Sequence, residues 1–361
     1  MAVTDEDCLK LTTYFGERDR AGGRLLADAL LDVYGEHRAA TSILLRGAEG
    51  FGRLHHLHTD RLLSLSEDLP VVTTTVDRRD RIEALLEPVL AIMRRGLITL
   101  ERARLLTGEI GAVRLPEDLH EATKLTVYVG RRQRVGATPA YAAICDLLHG
   151  HGIAGATVLL GVDGTSHGRR TRARFFGGNA DVPMMVMAVG PGEAIARVLP
   201  ELERRLAEPL ITLERVRVCK RDGELLARPP ALPPSDRRGL AMWQKLQVYT
   251  SQAATFDGRP LNLEIVRRLR ASESAGATSL RGMWGFHGAH PPHGDRFLQL
   301  RRHVPVLTIS VDTPQRTARA FEIIDELTSE QGLVTSEMVP ALSAMSAERT
   351  VGGLALASFD F

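Results

Sequence analysis

The chain has 361 residues, of which 44% are hydrophobic and 25% charged, a composition typical of a globular protein with two or three domains. Its 46 Lys and Arg residues nearly balance its 44 Asp and Glu residues. This balance argues against a protein whose main task is to coat nucleic acid or an anionic membrane, so we expect no nucleic-acid partner.

The cysteines and the apolar segments bear on the cellular compartment. Cys8, Cys145 and Cys219 are far apart and have no paired spacing, which favours neither a disulfide framework nor a zinc site. The acidic N-terminus has no apolar core. No stretch approaches the roughly 20 apolar residues that a membrane-spanning helix needs. We therefore expect a soluble protein of the reducing cytoplasm.

Four short segments recur in the same order along the chain. The first is a strand opening, written KLTTYFG from Lys10, KLTVYVG from Lys124 and KLQVYTS from Lys245. The others are TSILLRGAEGFG, GATVLLGVDGTS and GATSLRGMWGFH from Thr41, Gly155 and Gly276; the prolines Pro70, Pro183 and Pro305; and GLITLE, PLITLE and GLVTSE from Gly96, Pro209 and Gly332. This recurrence predicts three tandem copies of one domain.

Apolar periodicity predicts the elements of each copy. In copy 1 an opening strand alternates around Leu11, Thr13 and Phe15, and strands follow at 42–46, 70–76 and 97–105. Two helices present apolar faces formed by Leu26, Leu30, Val33 and Tyr34, and by Ile82, Leu85, Leu86, Val89 and Ile92. The order β-α-β-β-α-β is the split form of ferredoxin-like domains, so the predicted fold class is α+β.

The repeat sets the predicted domain boundaries. Copies 1, 2 and 3 cover residues 8–108, 122–222 and 243–342. Residues 223–242 contain ARPPALPPSD, a Pro-rich linker expected to act as a stiff, extended tether. The tail, residues 343–361, is either a disordered end or a segment whose LALASFDF sequence lies in a groove or meets a partner.

Copy 1 resembles a known family in the strings KLTTYFGERDR, LLRGAEGFGRLHHLHTDRLLSLSEDLPVV and GLITLERARLL. The family is the PII-like domain of unknown function 190, and copies 2 and 3 resemble it more loosely. The resemblance implies ferredoxin-like protomers that assemble as trimers, with ligand sites in the clefts between protomers. Here the trimer would be an intramolecular pseudo-trimer, monomeric as a chain. Relatives are associated with small-ion transport, including fluoride efflux, which makes a membrane transporter or channel the leading partner.

The first candidate ligand-binding feature is the glycine-rich turn after the second strand. Glycine allows positive φ and a close approach of backbone N–H groups to an anion. The alternative is a tight bend that only opens a long loop. The candidate residues are Gly47, Glu49, Gly50 and Gly52 in copy 1, Gly161, Asp163 and Gly164 in copy 2, and Gly282 and Gly285 in copy 3.

The second candidate is a pair of arginines two residues apart on the last strand, hence on one face. These are Arg102 with Arg104 and Arg215 with Arg217. Paired guanidinium groups suit a phosphate or a carboxylate, and PII proteins place late-strand arginines against nucleotide phosphates. The resemblance therefore implies anion contacts, with solvated strand charges as the alternative. Copy 3 has Glu337-Met338-Val339-Pro340 instead, so at most two clefts would bind alike.

The long loop after the second strand is the counterpart of the partner-contacting loop in PII proteins. Copies 1 and 3 are rich in histidine there, whereas copy 2 is rich in arginine. The predicted partner-contacting residues are His58, Arg61, Arg170, Arg172, His293 and Arg296. Such histidines can bind a divalent metal, but their spacings match no closed zinc pattern, so no metal site is assigned.

Motifs of nucleophilic, phosphate-loop or metalloprotease enzymes do not occur in the sequence. We expect no enzymatic activity and no cofactor. The prediction is a cytoplasmic sensor that binds a small anionic ligand such as a nucleotide in one or two clefts and reports it through the long loops to a partner. The alternatives are a divalent-metal-binding protein that uses its His-rich loops, and a scaffold without a ligand.

Overall fold

The computed structural model describes residues 3–52, 58–59, 68–108, 121–166, 169–172, 182–287, 292–294, 304–346 and 349–359. Within these residues each copy has the principal order strand, helix, strand, strand, helix, strand. A two-residue hairpin precedes the first helix of each copy, and short strands follow the second principal strand. The chain is thus a mixed α/β protein with three tandem repeats.

The elements of copy 1 are β1 (Val3–Gly16), β2 (Arg20–Ala21), β3 (Arg24–Leu25), α1 (Leu26–Glu36), β4 (Thr41–Arg46), β5 (Glu49–Phe51), β6 (His58–Thr59), β7 (Pro70–Arg78), α2 (Arg79–Ile92) and β8 (Gly96–Thr107). Those of copy 2 are β9 (Thr123–Gly130), β10 (Arg134–Val135), β11 (Thr138–Pro139), α3 (Ala140–Gly150), β12 (Gly155–Leu160), β13 (Asp163–Ser166), β14 (Arg169–Arg172), β15 (Pro183–Gly190), α4 (Gly192–Arg205), β16 (Leu210–Arg215) and β17 (Arg217–Arg221).

After β18 (Glu224–Leu225), copy 3 has β19 (Trp243–Ser251), β20 (Thr255–Phe256), β21 (Arg259–Pro260), α5 (Leu261–Ala271), β22 (Ala277–Arg281), β23 (Trp284–His287), β24 (His293–Gly294), β25 (Pro305–Asp312), α6 (Pro314–Leu327) and β26 (Leu333–Val339). The C-terminal part adds β27 (Ala341–Met345) and β28 (Thr350–Gly353). None of the helices in the described residues is long and apolar enough to cross a membrane.

Each helix forms where apolar residues recur at helical spacing. In α1 the buried side chains are Leu26, Leu30, Leu31 and Tyr34, close to the predicted apolar face. The helix ends where Arg38 takes a positive φ of 50° and its N–H donates to the Gly35 carbonyl. Gly152, at the corresponding end of α3, reaches a φ of 73° without a Cβ to oppose it.

The principal strands of each copy pair antiparallel, in the orders β4-β7-β1-β8, β12-β15-β9-β16 and β22-β25-β19-β26. One face of each sheet packs against the two helices of its own copy. Residues on the other faces, such as Val72 of copy 1, Met185 of copy 2 and Leu307 of copy 3, share one core. The strands therefore read as apolar on both faces because both faces are buried.

Backbone pairing links the copies in a closed cycle. The last strand of each copy reaches the last strand of the next, so β8 pairs β16, β17 pairs β26, and β27 pairs β8. The short strand after each glycine-rich turn pairs with the second principal strand of another copy, in the pairs β5–β22, β13–β4 and β23–β12. Consequently each copy shares backbone hydrogen bonds with both others.

The linker and the tail pack against each other. Leu232 and Met242 of the linker are buried with Ala357 of the tail. The Asp236 carboxylate accepts hydrogen bonds from the N–H groups of Arg238, Leu240 and Ser358, which hold its pKa down at about 2 against the opposing effect of burial. In the described residues, the tail is therefore not a disordered end but packs against the linker.

Candidate functional site

The glycine-rich turns are the points where copies meet. In copy 1 the Gly47 N–H donates to the Pro70 carbonyl at 2.7 Å, and the Ala48 N–H to the Ser279 carbonyl of copy 3 at 2.8 Å. The Val162 and Met283 N–H groups donate to the carbonyls of Leu44 and Val158 in the same way. These N–H groups therefore satisfy carbonyls of the chain rather than an anion.

Close backbone approach explains the glycines at these turns. A Cβ at Gly164 would lie 2.2 Å from the Ser42 oxygen, and one at Gly285 would lie 2.3 Å from the Ala156 oxygen. The same crowding holds at Gly47, Gly50, Gly161 and Gly282. Close packing between copies therefore explains why these positions are glycine, as the tight-bend interpretation requires. Ligand contact by these glycines stays a prediction. Glu49 and Asp163 are buried in β5 and β13, between copies.

The predicted arginine pairs contact other parts of the chain. The Arg102 guanidinium donates to the Ala357 carbonyl of the tail at 3.2 Å, and Arg104 is half-buried on the same strand. Arg215 and Arg217 both face one carboxylate, Glu121, at 3.6 and 3.0 Å. Their strand breaks at Val216, where the chain leaves β16 and enters β17 in the next sheet. None of the four arginines lines either of the clefts described below.

The predicted partner loops are described only in part. The backbones of His58 and His293 belong to the short strands β6 and β24, and those of Arg170 and Arg172 belong to β14. Arg61 and Arg296 lie outside the described residues. Partner contact by these six residues stays a prediction.

Three lysines and three glutamates, one of each per copy, alternate in a buried ring where the copies meet. The lysine–glutamate ring runs Lys10, Glu214, Lys124, Glu337, Lys245, Glu101 and back to Lys10. The Nζ–Oε distances include 3.1 Å for Lys10–Glu101, 2.6 Å for Lys124–Glu337 and 2.7 Å for Lys245–Glu337. Each lysine thus bridges the glutamate of its own copy and that of another.

Charge balance in the ring sets its protonation. Burial disfavours the Lys10 ammonium, but Glu101 and Glu214 outweigh it and hold the pKa of Lys10 above its usual range. Burial would likewise raise the pKa of Glu101, but Lys10 and Lys245 lower it. At Lys124 burial dominates and its pKa is lowered. The carboxylates of Glu101, Glu214 and Glu337 lie within 4.8 Å of one another, yet the interleaved ammonium groups already neutralise them. This arrangement does not suit a metal ion.

The large cleft lies between copies 1 and 3 and has a volume of about 860 Å³. Its aromatic lining comes from Tyr14, Phe15 and Phe51 of copy 1 and Trp243 of copy 3. Arg95, Arg316 and Arg349 add three exposed guanidinium groups. Asp19, Asp68 and Asp312 also line it, and each accepts a backbone hydrogen bond, for instance from Gly16, Arg18 and Ala275. Arg316 also donates to the Glu273 carbonyl at 3.3 Å. The cleft thus combines an apolar wall with three guanidinium groups and three carboxylates.

Both ends of the copy 1 loop reach the large cleft. Gly52, just before residues 53–57, lines it, and so does Asp68, just after residues 60–67. Gly50 and Phe51 of β5 line it as well. A molecule in the cleft would therefore touch the two points from which the predicted partner loop departs.

The small cleft occupies the corresponding place between copies 2 and 3, with a volume of about 80 Å³. Tyr249, Thr250 and Ser251 line it where Tyr14, Phe15 and Gly16 line the large cleft. Gly332 and Leu333 correspond to Gly96 and Leu97. The two clefts are thus repeat-related positions with different contents.

These features define a three-repeat α/β protein with candidate sites between its repeats. The chain belongs to the domain of unknown function 190 family (DUF190), described as Uncharacterized ACR, whose model matches residues 8–105, 122–218 and 243–341. It is similar to the UPF0166 protein of Aquifex aeolicus (strain VF5), with 27% identity over 97 residues, 27% of this chain and 90% of that protein.

One solved structure, the crystal structure of aspartate kinase from Synechocystis, aligns with 96% of this chain at 11% identity and a TM-score of 0.27. The chain spans 46% of that kinase, and a likeness of this size carries no argument about fold or activity.

The sequence interpretation assigned no role to the ring or to the arginines of the large cleft. The signal for the ring was present, because each strand opening begins with Lys and each GLITLE-like segment ends with Glu. For Arg95, Arg316 and Arg349 there was no such signal, since they occupy different positions in their copies.

Proposed function

We propose that this chain is a PII-like regulatory protein, built as an intramolecular pseudo-trimer of three ferredoxin-like domains, that binds a small anionic ligand such as a nucleotide in the large cleft. Binding, not catalysis, is its activity. The ligand's presence is passed through the copy 1 loop to a partner protein, with a membrane transporter or channel as the leading candidate.

The cyclic strand pairing supports the pseudo-trimer. Every copy contributes a last strand to one neighbour and a short strand to the other, as a closed assembly of repeated units requires. The ring adds a charge pattern that repeats with the copies. Covalent linkage keeps the copies at high effective concentration, so the assembly does not depend on protein concentration.

The observation that carries the ligand proposal is the large cleft itself. Its volume of about 860 Å³ is in the range of sites for small organic ligands. Aromatic walls from Phe15, Phe51 and Trp243 suit a flat base, and the guanidinium groups of Arg95, Arg316 and Arg349 suit phosphate oxygens. Of the ligand-binding residues predicted from the sequence, Gly50 and Gly52 line this cleft, whereas the four arginines do not.

Coupling to a partner is supported by the position of the loop ends. Gly52 and Asp68 both line the cleft, and Asp68 also accepts the Arg18 N–H at 2.6 Å. A phosphate group near Asp68 would repel its carboxylate and pull on this contact. The ligand would then act on the end of the partner loop directly.

The test is thermal stability of the full chain against ATP, ADP, AMP, cyclic nucleotides, divalent metals and halides, followed by calorimetric titration with the best nucleotide. A ligand that binds only the folded state raises the melting temperature. We expect a nucleotide-dependent rise, and an affinity at least about tenfold weaker in Arg316→Ala. Arg319→Ala, an exposed arginine on the same helix outside the cleft, is the matched control.

Absence of any nucleotide effect on the melting temperature would refute the ligand proposal. A rise with divalent metal alone would favour the metal-binding alternative through the His-rich loops. Equal affinities of Arg316→Ala and the unmodified chain would place the nucleotide elsewhere.

A further inference from the structure

The small cleft holds two polar groups without partners. The Nε–H of Arg221 is buried and meets no hydrogen-bond acceptor among the described residues, and the same is true of the Thr250 hydroxyl. Thr250 itself is only 8% exposed. Both residues line the cleft. A buried donor without an acceptor destabilises the folded state, more so when it is charged, so such groups in folded proteins nearly always have a partner or a bound species.

The charge in the small cleft is uncompensated. None of the described residues that line it is acidic, and the described part of the chain gives Arg221 no carboxylate partner. Glu224, its partner across the β17–β18 hairpin, is exposed and makes no ion pair with it in the described residues. Other lining residues, such as Ala156, Val189 and Phe286, are apolar and buried. Arg221 is half-buried, with its Nε–H covered, so its positive charge lies against an apolar wall where it attracts an anion more strongly than a fully exposed guanidinium does.

This cation is specific to one cleft. Arg221 pairs in register with Leu333, whereas the residues that pair with the equivalent Leu97 and Leu210 are Ala344 and Thr107. The strand of copy 2 thus puts a guanidinium where copy 3 puts a methyl group and copy 1 a hydroxyl. Because the Arg221 side chain is larger than that of Ala344, it takes up part of the space that the large cleft leaves open.

From these observations we propose that the small cleft is a binding site for a small monovalent inorganic anion, held by the Arg221 guanidinium and the Thr250 hydroxyl. A cavity needs a volume of roughly 10–15 Å³ to hold one water molecule. A cavity of about 80 Å³ therefore admits a halide or a small oxyanion with some water and excludes a nucleotide. The site is independent of the ligand proposed for the large cleft.

The wall chemistry predicts which anions bind best. The small cleft offers an anion two hydrogen-bond donors and an apolar wall, which replace only part of its hydration shell. An anion whose dehydration costs much free energy therefore binds weakly. Bromide and nitrate should therefore bind more tightly than fluoride. This order distinguishes the site from a surface cluster of arginines, which would favour multivalent phosphate.

The test uses the full chain in sodium bromide, nitrate, chloride or fluoride, with gluconate to keep the ionic strength constant. We expect a saturable rise of about 2 °C in melting temperature with bromide, smaller with fluoride, and its loss in Arg221→Gln. Arg237→Gln, an exposed arginine with the same change of charge, should keep the full rise. Arg316→Ala should keep it too, which separates this proposal from that for the large cleft.

A crystal soaked in bromide gives a second readout that needs no variant. An anomalous peak beside Arg221 and Thr250 would support the site. A difference map that shows no bromide in the small cleft, or a bromide effect that is equal in Arg221→Gln and the unmodified chain, would overturn the proposal.

Discussion

The large and small clefts occupy the same place in the repeat and differ about tenfold in volume, 860 against 80 Å³. Both are built from the end of a first strand, a short strand after a glycine-rich turn and the start of a last strand. One of the differences between their linings is the residue on the incoming last strand, which is Ala344 in the large cleft and Arg221 in the small cleft. Fusion of three copies thus lets equivalent clefts acquire different ligand chemistry while the backbone hydrogen bonds that build them stay the same.

The comparison depends first on the ring that holds the copies together. Replacing Lys245 by Met leaves Glu101 and Glu337, both buried, with one lysine fewer. We expect the free energy of unfolding to fall by about 3–5 kcal/mol in urea titrations, and both clefts to be lost together. Arg24→Met, which removes an exposed ion pair with Asp32, should cost less than about 1 kcal/mol. Similar losses in the two variants would show that the ring is not central to assembly.

Acidification tests the same ring without a mutation. Burial opposes ionisation of Glu101 and Glu214, but the lysines beside them lower the pKa of each below the ordinary value of 4.5. Since a lowered carboxyl pKa stabilises the folded state above its unfolded pKa, that stability should fall as the pH falls below about 4.5. Urea unfolding from pH 6 to pH 3 measures it. A curve that stays flat in this window would contradict the assignment.

Two glycines of the large cleft differ in how close the neighbouring copy lies. A Cβ at Gly50 would lie 2.7 Å from the Ala277 oxygen, whereas one at Gly52 meets nothing within 4 Å. Gly50→Ala should therefore destabilise the fold by about 1–3 kcal/mol, and Gly52→Ala should have little effect. Chemical denaturation of both variants measures the difference. Equal stabilities would mean that the turn glycines do not respond to the contact between copies.

One residue that differs between the clefts can be exchanged. Ala344→Arg places a guanidinium in the large cleft, where it should occupy ligand space and weaken nucleotide binding by about tenfold, equivalent to about 1.4 kcal/mol. Calorimetric titration measures this effect, and Ala344→Ser is the control of nearly unchanged size. Unchanged nucleotide affinity in Ala344→Arg would show that residue 344 does not set the capacity of the cleft.

The part of this architecture that the sequence predicted depends on local apolar spacing and on the repeat. The positions of α1, α2 and β7 follow from apolar spacing and from Pro70, and the threefold recurrence of the same segments predicted three copies before any contact was known. The order of strands and helices along a copy also follows from these periods, whereas the sheet order β4-β7-β1-β8 does not, since β1 lies between β7 and β8 and not beside β4.

The local apolar pattern did not predict the contacts between copies. Lys10 and Glu214 are 204 residues apart. The repeat marks a Lys and a Glu in each copy, but it does not specify which glutamate of another copy each lysine contacts. Arg215 and Arg217 looked like neighbours on one strand face, yet the break at Val216 sends them into different sheets and towards Glu121.

By itself, then, the sequence determined the family, the number of copies and the order of their elements, since these depend on residues close together in the chain. Only the tertiary structure decided which side chains share a cleft or a charged ring. Those groups are brought together by strand pairing between copies, which depends on how whole sheets pack and not on local periodicity.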